Sequence, residues 1–101
     1  MVLSAEQRFQ LALEAQSERE YSAMLTQLKA AASLGHVQAH ETLGTVLLVG
    51  PSVYGRAIRT DRCEALRWFL AATRAGSELG RMNVEFLNRA RSAPQGRRAC
   101  D

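Results

Sequence analysis

The two histidines have the most suggestive chemical spacing in this 101-residue chain. His36 and His40 lie four residues apart with Glu41 adjacent, so on a helix their imidazoles could share a metal ion. No third ligand stands at a matching spacing, which leaves a metal-dependent enzyme as the weakest reading and implies no cofactor. Cys63 precedes Glu64 near a helix start, where a thiolate would be favoured, but no histidine sits at a recognisable nucleophile–base spacing. It reads as a plain thiol, and neither Cys63 nor Cys100 is expected to staple the fold. The glycines at 50 and 55 are not followed by the Lys-Ser/Thr pair of a phosphate-binding loop. Trp68 and Phe69 could stack a base or a ligand, but their place in an apolar stripe makes them core residues first. Catalysis is therefore not expected, and the chemistry left is that of charge. Residues 1–50 carry three bases against five acids, a net −2, whereas residues 51–101 carry ten arginines against five acids, a net +5. Arginine forks in the second half suit carboxylates or phosphates on a partner.

The elements that must position these groups are helical. Aromatic residues make up 6% of the chain and there are two prolines, too few for a β-sandwich with its aromatic strands and frequent turns. Ser4 with Gln7 three residues later forms a capping box and starts a first helix, with Phe9, Ala12, Leu13 and Gln16 on one side, up to a polar joint at 17–20. Tyr21, Met24, Leu25, Leu28, Ala31 and Ala32 recur at three and four, a buried stripe that Gly35 terminates. A third helix over 37–49 turns Ala39, Leu43, Val46 and Leu47 inward, and the short connection makes it antiparallel to the second. Residues 50–60 read as a loop. Thr60 or Asp61 caps a fourth helix bearing Ala65, Leu66, Trp68, Phe69, Ala72 and Ala75, and Gly76 stops it. A fifth, capped by Ser77, is expected to bury Leu79, Met82, Val84, Phe86 and Leu87 up to about residue 91. Residues 92–101 have nothing to bury and are expected to form a flexible tail.

A shift of 41 residues lays one hairpin on the other. It matches Leu25 with Leu66, Leu28 with Phe69, Ala31 with Ala72, Gly35 with Gly76 and Leu43 with Val84, a period in the range of helical solenoids. A lone hairpin leaves one face uncovered, so such units stabilise by stacking. The segment Gly35-His36-Val37-Gln38-Ala39-His40-Glu41-Thr42-Leu43-Gly44 resembles the turn and second helix of a Sel-one-like repeat, a branch of the tetratricopeptide-type solenoids. Gly55-Arg56-Ala57-Ile58-Arg59-Thr60-Asp61, followed by Ala65, Trp68-Phe69, Ala71-Ala72 and Gly76, is similar to that family's inter-repeat loop and first helix. Departures are Ala57 for the second loop glycine, Glu64 for a basic residue, Gly80 for an alanine and Glu85 for the final glycine; they fall most heavily on the last helix. The resemblance covers about residues 20–90 and implies a right-handed superhelical scaffold that binds proteins without catalytic residues.

Together these readings predict an all-α chain, a short right-handed α-α superhelix of about two and a half antiparallel hairpins. It forms one domain over residues 1–91, with repeat-like units at about 20–50 and 55–91. The expected role is a non-catalytic protein–protein interaction module, an adaptor, chaperone or immunity-type inhibitor of a bacterial cell. The partner is expected to be a protein with an acidic surface, held by Lys29, Arg56, Arg59, Arg67 and Arg74, and self-association is a further expectation for so small a solenoid. A nucleic-acid-associated role for the arginine-rich half is the weaker alternative, because acids interrupt the bases and no aromatic stacking set accompanies them. No apolar run reaches the ~20 residues of a bilayer span and residues 1–8 do not read as a secretion signal, so the chain is expected to be cytoplasmic.

Overall fold

The computed structural model of the chain describes residues 2–91, with side chains through residue 89; the tail predicted over 92–101 lies outside the described residues. Helix α1 spans Ala5–Ser17, α2 Tyr21–Ser33, α3 Val37–Val49, α4 Pro51–Tyr54, α5 Arg62–Arg74 and α6 Glu78–Arg91. There is no strand among the described residues. The chain is all-α: α2 with α3, and α5 with α6, form two antiparallel hairpins that stack through α3 against α5, while α1 adds a half unit by packing on α2.

Local chemistry repeats at each turn. After α2, the N–H of His36 reaches the carbonyl of Ala31 and that of Gly35 reaches Ala32, and after α5 Ser77 and Gly76 do the same to Ala72 and Thr73. This pairing satisfies the orphan carbonyls of a helix end and needs a residue in the left-handed region. Gly35 and Gly76 occupy it at φ +88° and +94°. After α1 the same bonds form from Arg19 and Glu20, but Arg19 has to hold φ +59° with a side chain attached. The starts of helices are fixed as firmly. Ser4 and Gln7 close the predicted capping box, the Gln7 N–H donating to Ser4 Oγ at 3.1 Å and the Ser4 N–H to Gln7 Oε1 at 2.8 Å. Asp61 Oδ1 accepts from the Glu64 N–H at 2.9 Å to start α5.

The core runs through the stack. Met24, Leu28, Leu43, Val46, Phe69 and Leu87 are fully buried, and Ile58 joins them from the connection between the hairpins. Ile58, worth about 2 kcal/mol as a completely buried aliphatic side chain, anchors that connection, and the Asp61 N–H bonded to the Leu47 carbonyl ties its end to α3. Small residues set the helix separations. A methyl group at Gly44 would lie 2.8 Å from the Phe69 ring, and one at Gly80 would lie 2.8 Å from the Phe69 carbonyl and 2.9 Å from Ala72 Cβ. The backbones of α3 and α6 therefore press directly on the two sides of α5.

Four expectations require correction. The segment read as a loop over 50–60 contains the single-turn helix α4, because Pro51 stands at its first position, where proline's missing N–H costs nothing. On α1 the buried side is Phe9, Ala12 and Ala15, and Leu13 is exposed. Trp68 is only half-buried against the core. On α6 Leu87 is buried and Val84 partly so, whereas Leu79, Met82 and Phe86 are each about half exposed, at 47%, 54% and 51%.

Candidate functional site

Glu64, Arg67, Trp68 and Ala71 recur at three and four along α5 and so share one side of it. Opposite them α2 presents Lys29 and Ser33, and the two helices enclose an open groove of about 400 Å³ lined by these six residues. Asp61, by capping α5, fixes where the helix that carries these side chains begins.

The floor of the groove is a layered aromatic contact. The Trp68 ring stacks on the His40 imidazole from α3, with centroids 5.4 Å apart and planes at 26°. His40 is itself buried, at 8% exposure, and is held by an Nε2–H donated to the Ala32 carbonyl at 2.8 Å. Over this floor the Glu64 carboxylate takes two partners on the same oxygen: the Trp68 indole N–H donates to Oε2 at 3.2 Å and Lys29 Nζ lies 3.6 Å from it. Lys29 therefore enters the groove already neutralised, with the indole locked in orientation beside it. Arg67 is exposed at the rim, where one Nη2–H reaches the Cys63 sulfur at 3.5 Å.

Of the five predicted contact residues, Lys29 and Arg67 line the groove. Arg74, Arg56 and Arg59 are exposed but stand outside its lining, Arg74 at the last turn of α5 and the other two on the connection after α4. Sequence reasoning missed Glu64, although the signal was visible as an acid where the resembled family places a base.

The histidine pair is occupied elsewhere. His36 caps α3 by accepting the Ala39 N–H on Nδ1 at 3.1 Å, which leaves Nε2 to face Glu6 Oε2 at 2.5 Å, while its ring stacks on Phe9 at 4.6 Å. That hydrogen bond, reinforced by one from Gln10, holds the Glu6 carboxyl below the usual glutamate range. These contacts bind α1 to the α2–α3 turn, so His36 does structural work. No group of three or more metal-ligating side chains occurs among the described residues, and none of their helices is long and apolar enough to cross a membrane.

Compared with known proteins, the chain matches no family model, no curated protein and no solved structure.

Proposed function

We propose that the chain is a non-catalytic protein-interaction module of the Sel-one-like, tetratricopeptide type that holds an acidic partner protein along the groove between α2 and α5. The observation that carries this reading is the groove itself: an open channel between stacked hairpins whose half-buried indole is held in place by Glu64 and whose rim carries an exposed guanidinium. An aromatic anchor beside an arginine is the composition of interface hot spots, and loss of a desolvated arginine from one typically costs about 2 kcal/mol. Because Glu64 occupies Lys29, the free positive charge lies with Arg67 and, further along, Arg74. An acidic segment is therefore drawn to the α5 side. The role is that of an adaptor, chaperone or immunity-type inhibitor in a bacterial cytoplasm.

The test is co-purification from cells, identification of the bound protein, and measurement of its affinity for the native chain and for Arg67→Glu with Arg74→Glu. The helical signal should be unchanged while affinity falls at least tenfold. Equal affinity would place the interface elsewhere. Binding of RNA or DNA that falls steeply with salt would move the reading to nucleic acid.

A further inference from the structure

The exposed apolar residues of α6 have no role in the groove. Leu79, Met82 and Phe86 follow one another at spacings of three and four and so form one continuous stripe, and each is about half exposed. A soluble domain rarely leaves three large apolar side chains on one helix uncovered without a use for them.

A further hairpin of the same solenoid is not what covers them. The 41-residue repeat places Ala39, Leu43 and Val46 of α3 over Gly80, Val84 and Leu87 of α6, the residues each helix turns toward the first helix of its own hairpin. The side of α3 that receives the next hairpin carries His40, stacked on Trp68, and Gly44, pressed on Phe69. Their counterparts on α6 are Arg81 and Glu85. Arg81 bridges Glu78 and Glu85, at 2.5 Å to the latter, and these contacts depress the Glu78 carboxyl. The side of α6 that would meet a further hairpin thus carries a charged ladder. The apolar stripe lies along a different side of the helix.

We infer that this stripe is the seam of a homodimer in which α6 packs antiparallel against α6 of a second copy about a two-fold axis between Met82 and Asn83. The seam is self-complementary. Residues equidistant from the axis meet, so Leu79 faces the second copy's Phe86, and Met82, beside the axis, faces the second copy's Asn83 and lies next to its Met82. The charges agree with the same register. Glu78, Arg81 and Glu85 together leave one uncompensated negative charge on a flank of the stripe, and Arg89, exposed and without an ion pair among the described residues, lies three turns beyond Glu78 on that flank. In this register each Arg89 stands two residues, ~3 Å along the helix, from the level of the other copy's Glu78, within reach of its long side chain, twice by symmetry. A single helix per subunit gives an interface at the small end of specific contacts, so the dimer is a weak one. It lies on α6, away from the groove, and stands or falls separately from the protein-binding reading.

Sedimentation equilibrium up to about 1 mM tests it. The native chain should pass from 11.1 kDa to twice that mass as concentration rises. Met82→Glu and Phe86→Lys, each at a half-exposed position and each checked for an unchanged helical signal, should raise the dimer dissociation constant at least tenfold. Arg89→Glu should weaken the dimer, and Arg89→Glu with Glu78→Lys should recover it. Leu34→Glu, at a 58%-exposed leucine on the α2–α3 turn, should change nothing. A native chain that is monomeric throughout, a dimer indifferent to Met82→Glu and Phe86→Lys, or one equally lost in Leu34→Glu would overturn the proposal.

Discussion

Replacing Gly44 by alanine sets two known effects against each other. In the middle of α3 the intrinsic helix preference favours alanine over glycine by about 1 kcal/mol, so an isolated or solvent-facing helix would be stabilised. At this position the new methyl would lie 2.8–2.9 Å from three carbons of the Phe69 ring, closer than carbon atoms approach without displacement. Phe69 is fully buried, so its ring has no solvent to swing into, and α6 presses on the backbone behind it through Gly80. Overpacking of this kind costs about 1–3 kcal/mol. The balance is a net loss of roughly 1 kcal/mol, which for a domain this small lowers Tm by about 4–8 °C. Thermal and urea denaturation of the native chain and Gly44→Ala measure it. The double variant Gly44→Ala with Phe69→Leu supplies the coupling: if the methyl and the ring collide, the alanine becomes neutral or stabilising once the ring is gone. Glu85→Ala, at the matching and exposed position of α6, where no helix packs among the described residues, should change stability by no more than about 0.5 kcal/mol. A Gly44→Ala chain that melts higher than the native one would mean that α3 and α5 do not meet as described.

Arg19 holds a left-handed conformation that costs a residue with a side chain about 1–2 kcal/mol, whereas glycine there gives back about 0.4–1 kcal/mol through the unfolded chain. Arg19→Gly should therefore stabilise by roughly 0.5–1 kcal/mol, seen as a higher urea midpoint at unchanged slope; a lower midpoint would show the turn to be built otherwise. Glu6 carries a depressed carboxyl in the folded chain, first through His36 and then through Gln10. Its contribution to stability is accordingly complete above the ordinary glutamate value, about pH 4.3, and is lost as the pH falls through the lower folded value. The gap in Tm between the native chain and Glu6→Gln should be open at about pH 6 and narrow as the pH falls below the ordinary glutamate value of about 4.3; a gap that does not change with pH would exclude the Glu6–His36 contact as its source.

How far the sequence led depended on whether a signal was local. The capping box at Ser4 and the stops at Gly35 and Gly76 each concern a handful of adjacent residues, and each formed as expected. Leu28, Ala31, Leu43, Phe69 and Ala72 were legible as buried because the stripe they belong to has neighbours on both sides of the stack. On α6 the same periodicity misled, since an apolar stripe does not state which of its members faces inward. That is decided by Gly80, whose lack of a side chain turns it toward α5 and rotates Leu79, Met82 and Phe86 outward. The groove was half legible: Lys29 and Arg67 were found by charge, but Glu64, which neutralises one and orients Trp68, could be assigned only once α2 and α5 were seen to face each other.

The departures from the repeat pattern carry the physical information that the pattern itself does not. A glycine is needed at Gly44 because a phenyl ring lies on it, and the need disappears at Glu85, which is exposed and meets no further helix among the described residues. The small residue needed where α6 meets α5 goes one step further, from the alanine of α3 to Gly80, and closer approach of the last helix is the result. Glu64 divides the groove into a neutral Lys29 end and a positive Arg67 rim. Each substitution sits where the neighbouring helix differs from that of the preceding unit. The two units are thus not copies of one element: the first is covered by the second, and the second meets no further helix among the described residues. A change that suits one, such as alanine for Glu85, is expected to damage the other at Gly44.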